Sequence, residues 1–342
     1  MSQDQSSQDQ ASQDQSSSRA AHRAGWDGLS EPRLPVRDPR GHKGTFGTVA
    51  VVGGCACDAE GMRVRMIGAP ALAALGALRA GAGLAVVLAP EPVLGAVLTI
   101  APSATGAVLP TDETGAIIAH SGAQTLDRVL DRSDVLAIGP GLGSGQSVEQ
   151  IVLRAMSQTR VPVVVDADAL NALARTPTFD KDFHANAVLT PHPGEFSRLA
   201  AVLGIAEDPT DPATRPEAAQ ALARRLGAVV VLKGAGTVVS DGQRVWTCRA
   251  GHPCLATAGT GDVLTGVIAG VIAQYGPRSG QSHQPAKLEN PAGLDLFDAA
   301  RAGVLAHALA GERWAAEHKA SAGLLAGELA ALIPLACESI RE

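Results

Sequence analysis

Short apolar segments recur along this chain, and helix-like segments separate them. Residues 48–52 form an apolar run closed by two glycines, residues 69–80 place alanine and leucine at helical spacing, and residues 84–88 form a second apolar run. A strand, a helix and a strand in this order are typical of a parallel sheet. The alternation continues to about residue 335, so the sequence predicts an α/β fold built on a mostly parallel sheet.

Four of the predicted strands end in clusters of glycine or polar residues. The clusters are residues 139–145, 166–171, 190–195 and 233–237. The carboxyl ends of parallel strands lie along one edge of a sheet, and ligands bind outside that edge. We therefore expect the four clusters to converge on one site.

Each cluster also has an ordinary structural interpretation. The glycine run 139–145 is compatible with a plain turn, and Asp166 and Asp168 are compatible with capping of the next helix. His192 stands between two prolines, where an idle surface histidine is an alternative to a ligand contact. Lys233 follows an apolar strand and is compatible with a solvated strand end.

Residues 256–266 form a small, glycine-rich stretch that runs into an apolar segment. Gly259 and Gly261 allow a tight turn and close approach to a ligand. A helix that starts near Asp262 would direct free N–H groups and a positive dipole end into this loop, which favours phosphate. Asp262 could then act as a base on a neighbouring hydroxyl, whereas the simpler alternative makes Thr260 or Asp262 only an N-cap.

The glycine run also resembles a dinucleotide-binding loop, but the match is poor. Its spacing is Gly-x-Gly-x-Gly-x-Gly rather than the Rossmann G-x-G-x-x-G, and a Walker A sequence is absent. We expect any nucleotide to be held by residues 233–237 together with the helix start at Gly259.

Composition excludes several classes of function. The 342-residue chain has a net charge of −6 and no basic block, so no nucleic-acid partner is expected. It contains no apolar run of about 18 residues and no signal-like start, so we expect no membrane span and a cytoplasmic location. Its five cysteines lack the spacing of a zinc site and are predicted to be reduced thiols.

The remaining composition divides the chain into three parts. Residues 1–24 are a Ser/Gln/Asp-rich tail with almost nothing to bury, so we predict disorder. Residues 25–342 are predicted to form one domain. Residues 275–294 are rich in proline, glycine, serine and glutamine, which is typical of an exposed loop insertion.

Six motifs taken together resemble one family, the ADP-dependent NAD(P)H-hydrate dehydratases of the ribokinase-like superfamily. In chain order they start at His42 (HKGTFG), Gly68 (GAPAL), Gly139 (GPGLG), Thr190 (TPHPGE), Lys233 (KGAGT) and Gly259 (GTGDVLTG). The resemblance covers roughly residues 25–340. It implies a ribokinase-like three-layer α/β/α fold with a mostly parallel central sheet, and a homo-oligomer, expected to be a tetramer.

The resemblance also implies a lyase reaction. Members dehydrate the S-form of NAD(P)H hydrate (NADHX or NADPHX) to NAD(P)H, and they use ADP and Mg²⁺ and release AMP and phosphate. The hydroxyl is phosphorylated first, because phosphate is a better leaving group than hydroxide. The alternative is a vitamin or sugar kinase of the same superfamily. The choices between ADP and ATP and between NADHX and NADPHX stay open at the level of sequence.

Residue roles follow from the resemblance position by position. Asp262 would be the catalytic base and would contact the hydrate. The other hydrate contacts would be Ala69, Gly141 and His192. The nucleotide contacts would be Lys233, Gly234, Ala235, Gly236, Thr237 and Gly261. The backbone of Gly259, Thr260 and Gly261 would form an anion hole. No protein ligand of the metal is assigned, although Asp166 and Glu195 are candidates for contacts to metal-bound water.

The chain departs from the family pattern at two places. Cys254 and Ala258 stand where the family usually has glycine, which leaves the detail of that loop open. Members often carry a fused N-terminal epimerase domain, and the 24-residue tail is too short to be one. We therefore expect epimerase activity to reside in another protein.

Overall fold

The computed structural model describes residues 29–342 except residues 57, 60–61 and 278–292. The strands are β1 (Thr48–Val52), β2 (Asp58–Ala59), β3 (Met62–Arg63), β4 (Leu84–Pro90), β5 (Thr105–Leu109), β6 (Val135–Ile138), β7 (Val163–Val165), β8 (Ala187–Leu189), β9 (Val229–Leu232), β10 (Val238–Ser240) and β11 (Val245–Thr247). The helices are α1 (Gly68–Arg79), α2 (Glu91–Ile100), α3 (Ala119–Leu130), α4 (Gln146–Met156), α5 (Ala167–Arg175), α6 (Pro193–Leu203), α7 (Arg215–Leu226), α8 (Thr260–Tyr275), α9 (Leu296–His318) and α10 (Ala326–Ser339).

Nine strands form the main sheet, in the order β11-β10-β9-β8-β7-β6-β1-β4-β5. All neighbours from β9 to β5 are parallel, and β10 and β11 add an antiparallel hairpin at one edge. The hairpin turn contains Asp241 and Gly242, a pair that readily adopts the required turn conformation. The mostly parallel sheet predicted from the sequence is confirmed.

Helices cover both faces of this sheet. Along β1, Val49 and Val51 belong to one apolar core, and Ala50 and Val52 belong to the other, because successive strand residues point to opposite faces. The first core is completed by α1, α2 and α8 to α10, and the second by α3 to α7. The three-layer α/β/α arrangement is therefore as predicted, and both layers are built largely from alanine, valine and leucine.

Glycine allows α1 and α8 to pack with almost no gap. A Cβ atom added at Gly266 would lie 2.0 Å from the backbone oxygen of Ala73, and one added at Gly76 would lie 2.5 Å from that of Val263. Leu72 of α1 lies beside Gly259 at the start of α8, and farther along Gly76 lies beside Val263 and Ala77 beside Gly270, so the two helices run parallel. Both helices therefore begin at the same end of the sheet, where the strand carboxyl ends lie.

Several elements differ from the prediction. The sequence pattern left residues 89–134 unassigned, whereas they form α2, β5 and α3. The helix expected near Asp262 begins at Thr260, because Gly259 adopts a left-handed conformation and serves as the N-cap. Predictions for the tail 1–24, for Cys57 and for most of the 275–294 insertion lie outside the described residues.

Two other observations concern predicted properties. Cys254 and Cys337 are buried free thiols, in agreement with the prediction of reduced cysteines. Within the described parts of the chain, no helix combines the length and the apolar character that crossing a bilayer requires.

Candidate active site

The predicted polar clusters meet around the carboxylate of Asp166, which follows β7. One carboxylate oxygen lies 2.6 Å from the Lys233 ammonium and accepts the Thr190 hydroxyl at 2.8 Å. The other accepts the Thr265 hydroxyl of α8 at 2.7 Å. Asp166 occupies the N-cap position of α5 but makes no side-chain capping bond, so the capping alternative is wrong for it. Its side chain is almost fully buried and joins four elements of the site.

The glycine run after β6 packs directly against this region. Gly139 has a positive φ of 122°, and a Cβ atom there would lie 1.8 Å from the Asp166 backbone oxygen. Farther along the run, the Gly143 N–H donates to the Asp168 carboxylate at 2.8 Å. Burial raises the pKa of Asp168 despite that hydrogen bond. The run is thus more than a plain turn, because it is fitted to the Asp166 segment.

Lys233 is the cation of the cluster. Burial alone would lower the pKa of its ammonium, but attraction by Asp166 and Glu195 outweighs burial and raises the pKa. The ammonium lies 3.8 Å from the Glu195 carboxylate, so Lys233 is a buried ion-pair partner rather than a solvated strand end. Burial also raises the pKa of Glu195, and repulsion by Asp166 adds to the effect against the attraction of Lys233.

Asp262 lies in the first turn of α8 and is partly buried. Burial raises the pKa of its carboxyl from 3.8 to about 7, and repulsion by Asp166, Asp168 and Glu195 adds to the rise while Lys233 opposes it. A carboxylate with a pKa near the working pH is well matched to general base catalysis. It does not cap the helix, because Gly259 is the N-cap and no side chain makes the capping bond.

The turn before α8 presents backbone donors, as expected for a helix start. No oxygen of the described residues accepts the N–H of Gly259 or Gly261, and the Thr260 N–H makes only a long bond of 3.4 Å to Thr257. The Thr260 hydroxyl points backwards and lies 2.8 Å from the backbone oxygens of Leu255 and Thr257. The side chain thus anchors the turn, and the backbone is left to bind a ligand.

A cavity of about 550 Å³ lies beside these donors. It is lined by all five residues of the predicted nucleotide loop (Lys233, Gly234, Ala235, Gly236 and Thr237) and by Thr260 and Gly261. Residues 248–253, Leu264 and Val304 make up much of the remaining wall. The structure therefore brings the predicted nucleotide residues together around one space.

The predicted hydrate residues lie outside that cavity. Ala69, in the first turn of α1, and Gly141 are neighbours, since a Cβ atom at Gly141 would lie 3.2 Å from that of Ala69. Met66 borders the same spot and is 40% exposed. His192 is the N-cap of α6: its ring Nδ1 accepts a hydrogen bond from the Gly194 N–H at 3.0 Å, and its backbone N–H donates to the Glu195 carboxylate at 2.8 Å. About half of the His192 side chain is exposed, so it is neither a core histidine nor without a structural task.

The structure adds residues that the sequence did not single out. Thr265 follows Asp262 by three positions on α8, and helical spacing alone would have placed both on one face. Arg215 of α7 is buried and donates to the backbone oxygens of Leu232 and Lys233 at 3.0 and 3.1 Å. His307 of α9 lines the cavity. No sequence signal marks Arg215 or His307, because each is distant in the chain from every motif.

The residues at the two departures from the family pattern do not line the cavity. The Cys254 thiol lies 3.4 Å from the Gly311 backbone oxygen of α9, to which it donates, and Cys254 is not part of the cavity wall. Ala258 is exposed. Neither residue is therefore part of the wall of the proposed nucleotide cavity.

Comparison with known proteins identifies the family. A family model described as NAD(P)H-hydrate dehydratase matches residues 51–335. The chain belongs to the NAD(P)H-hydrate dehydratase family. A dehydratase is a lyase, so the predicted enzyme class agrees with the family.

Relatives and solved structures support this membership. The bifunctional NAD(P)H-hydrate repair enzyme Nnr of Moorella thermoacetica is 38% identical over 317 residues, which cover 91% of this chain and 53% of that relative. The chain spans about half the length of the curated relatives it matches. The ADP/ATP-dependent NAD(P)H-hydrate dehydratase from Bacillus subtilis, co-crystallized with ATP/Mg²⁺, superimposes with a TM-score of 0.67 at 30% identity, over 90% of this chain and 95% of that one.

A third comparison concerns the fold of the chain. A ribokinase-like superfamily protein from Enterococcus faecalis has the same TM-score, 0.67, at 24% identity, over 90% of this chain and 93% of that one. The ribokinase-like fold predicted for the chain is thereby confirmed.

Proposed function

We propose that this chain catalyses the ADP-dependent dehydration of the S-form of NAD(P)H hydrate, giving NAD(P)H, AMP and phosphate. The observation that carries the proposal is the carboxyl of Asp262, whose pKa is raised to about 7 at the glycine-rich start of a helix. The charge of Lys233 acts on this carboxyl, backbone donors precede it in the chain, and the cavity borders the preceding residues Thr260 and Gly261. A base, an anion site and a nucleotide site are what phosphorylation of a hydroxyl requires.

In the proposed reaction, Asp262 has two roles at the hydroxyl that is phosphorylated. Its carboxylate orients the C6 hydroxyl of the hydrate and takes its proton as the oxygen attacks the β-phosphorus of ADP. The bond from that phosphorus to the bridging oxygen breaks, and AMP leaves. The ring nitrogen lone pair then expels phosphate from C6 and leaves an iminium ion, and transfer of the C5 proton to water forms the C5–C6 double bond of NAD(P)H.

The other residues hold the two substrates. Lys233, Gly234, Ala235, Gly236, Thr237 and Gly261 are proposed to bind the nucleotide, which their position on the cavity wall supports. The N–H groups of Gly259, Thr260 and Gly261 are proposed to receive the transferring phosphoryl group. Ala69, Gly141 and His192 are proposed to contact the hydrate, and the neighbouring positions of Ala69 and Gly141 support a shared wall.

The donor set of the site suits Mg²⁺. Four carboxylates (Asp166, Asp168, Glu195 and Asp262) surround the Lys233 ammonium, and repulsion from Asp166 helps to raise the pKa of Glu195 and of Asp262, so the cluster is rich in acidic groups. Among the described residues no group of three or more His, Cys, Asp or Glu side chains is arranged as a metal cage. Mg²⁺ usually keeps its waters and binds one or two carboxylates plus substrate phosphates. Asp166 and Glu195 would hold its waters, and the bound ion would neutralise phosphate charge.

The test is a spectroscopic assay of the purified chain with NADH hydrate and Mg²⁺. The near-ultraviolet absorbance of reduced nicotinamide should return only when ADP is present. Return only with ATP would retain the reaction and overturn the nucleotide assignment. No return with either nucleotide would contradict the proposal, and a stable phosphorylated product would favour the small-molecule kinase instead.

Two matched variants test the role of Asp262 in this assay. Asp262→Asn should bind the nucleotide but lose turnover by a factor of about 10² or more, as expected for a general base. Asp112→Asn, an exposed carboxylate after the edge strand β5, should turn over like the wild type. Near-wild-type turnover by Asp262→Asn would contradict its assignment as the base. The single-domain boundary at residue 25, the cytoplasmic location and the tetramer stay predictions.

A further inference from the structure

His307 is a buried histidine that no step of the proposed reaction uses. It lies near the middle of α9, is 9% exposed, and borders the cavity together with Thr260 and Gly261. Its Nε2 atom lies 2.9 Å from the backbone oxygen of Thr260. A carbonyl oxygen can only accept, so Nε2 carries the proton and donates it to this hydrogen bond.

The electrostatic surroundings keep this imidazole neutral. Burial lowers the pKa of His307 from 6.5 to about 4, and the hydrogen bond to Thr260 offsets only part of that effect. The charge of Lys233 also lowers the pKa of His307. At neutral pH the ring is therefore uncharged, and its single proton resides on Nε2.

The packing of α9 against α8 fixes the position of the ring. A Cβ atom at Gly303 would lie 2.8 Å from Ile268 of α8, and one at Gly311 would lie 2.7 Å from Leu255, which precedes α8. His307 lies midway between these two glycines at helical spacing of four, so all three share one face of α9. The close approach at both glycines holds the backbone of His307 against the start of α8.

The hydrogen bond acts on the peptide unit that Thr260 shares with Gly261. A trans peptide is planar, and its carbonyl and its N–H point in opposite directions. Fixing the Thr260 oxygen therefore fixes the direction of the Gly261 N–H, which has no acceptor among the described residues. Donation to the oxygen also polarises the peptide and strengthens its N–H as a donor. Gly261 has no side chain that could do this itself.

We propose that His307 is a positioning residue that orients and polarises the Gly261 N–H of the anion hole. The inference rests on the proposed function, because the oriented donor is one of those assigned to the transferring phosphoryl group. An interaction that acts on developing charge raises kcat rather than affinity. Loss of the His307 donor should therefore reduce kcat and leave the KM for the hydrate and for the nucleotide nearly unchanged.

The kinetic test compares two substitutions with a matched control. His307→Leu should lower kcat about tenfold, less than the 10²–10³-fold effect of deleting an oxyanion-hole donor, because the donor remains but is less ordered. His307→Gln retains an N–H donor and should recover most of the loss. The control is His318→Leu, an exposed position about 16 Å farther along α9, which should have wild-type kcat. Wild-type kcat in His307→Leu, or a raised KM with unchanged kcat, would overturn the proposal.

A second measurement needs neither turnover nor a substitution that folds poorly. In the wild-type protein with ¹⁵N-labelled histidine, the His307 ring should give the signals of a neutral, Nε2-protonated imidazole from about pH 6 to pH 9, as its lowered pKa requires. His307→Gln identifies the signal among the nine histidines. An Nδ1-protonated ring, or titration near the ordinary histidine pKa, would refute the hydrogen bond. An inactive wild-type protein with the expected spectrum would instead refute the proposed function.

Discussion

Replacing Asp262 with asparagine should stabilise the protein above pH 7 while it lowers turnover by a factor of about 10² or more. The pKa of this carboxyl is raised from 3.8 to about 7, first by burial and then by repulsion from Asp166. In the folded state the charged form is therefore unfavourable, whereas in the unfolded chain Asp262 ionises normally. Asparagine has nearly the same shape and no charge, so it removes this destabilising contribution.

The pKa shift sets the size of the effect. A rise from 3.8 to about 7 corresponds to about three pH units, each equivalent to about 1.4 kcal/mol. The upper limit is thus about 4 kcal/mol, and partial exposure of Asp262 to solvent reduces a realistic value to about 2 kcal/mol. The sign follows from proton linkage: the penalty is absent below the unfolded pKa, grows as pH rises towards the folded pKa, and is complete above it.

Urea unfolding of the wild type and of Asp262→Asn checks this reasoning. The difference in unfolding free energy should favour the variant by about 2 kcal/mol at about pH 8 and fall towards zero near pH 4. Asp112→Asn is the control, because the Thr114 hydrogen bond lowers the pKa of that exposed carboxyl and its removal should not stabilise the protein. A variant that is less stable than the wild type at pH 8, or a difference independent of pH, would refute the assignment of a raised pKa.

Three further outcomes follow from the same contacts. The kcat/KM of the wild type should rise with pH through about 7, because Asp262 must lose its proton to act as a base; a flat pH–rate profile would contradict this. Asp166→Asn should lower the unfolding free energy by about 3–5 kcal/mol, because it leaves the buried Lys233 ammonium without its closest partner; urea unfolding measures this, and a loss below about 1 kcal/mol would count against it. Arg215→Met should weaken ADP binding about tenfold, because the backbone oxygens of Leu232 and Lys233 lose their hydrogen-bond donor. Calorimetry measures the affinity, and a wild-type value would show that the nucleotide loop does not depend on these two hydrogen bonds.

The strand ends could be predicted from the sequence because their signals are local. The run 48–52, closed by two glycines, has the predicted limits as β1, and residues 135–138 and 229–232 are likewise uninterrupted apolar segments that form strands. Residues 89–134 could not be assigned from the sequence, because β5 is an edge strand whose residues are largely exposed and its sequence lacks a clear apolar run. The helices beside it were missed with it.

The composition of the site was partly predictable, but its connections were not. Strand order follows from topology, so the meeting of the Asp166 and Lys233 clusters could be expected. The ion pair between Asp166 and Lys233 depends on the directions of the two side chains, and so does the hydrogen bond from Thr265 to Asp166. A single sequence does not encode these directions locally. The contact of His307 with Thr260 was even harder to predict, because it depends on the packing of α9 on α8 through two glycines. The proposed substrate roles of these residues stay predictions.

Lys233 physically connects segments that are separate in the sequence. Its backbone N–H donates to the Pro191 oxygen at 2.8 Å, and its ammonium lies between Asp166 and Glu195. A Cβ atom at Gly261 would lie 3.8 Å from the same ammonium, so the nucleotide loop and the start of α8 share this charge. The charges of Asp166 and Lys233 act in opposite directions on the pKa values of Glu195 and Asp262: Asp166 raises them and Lys233 lowers them. Effects of substitution at these positions should not be additive, because the Lys233 ammonium interacts with carboxylates from separate segments of the chain.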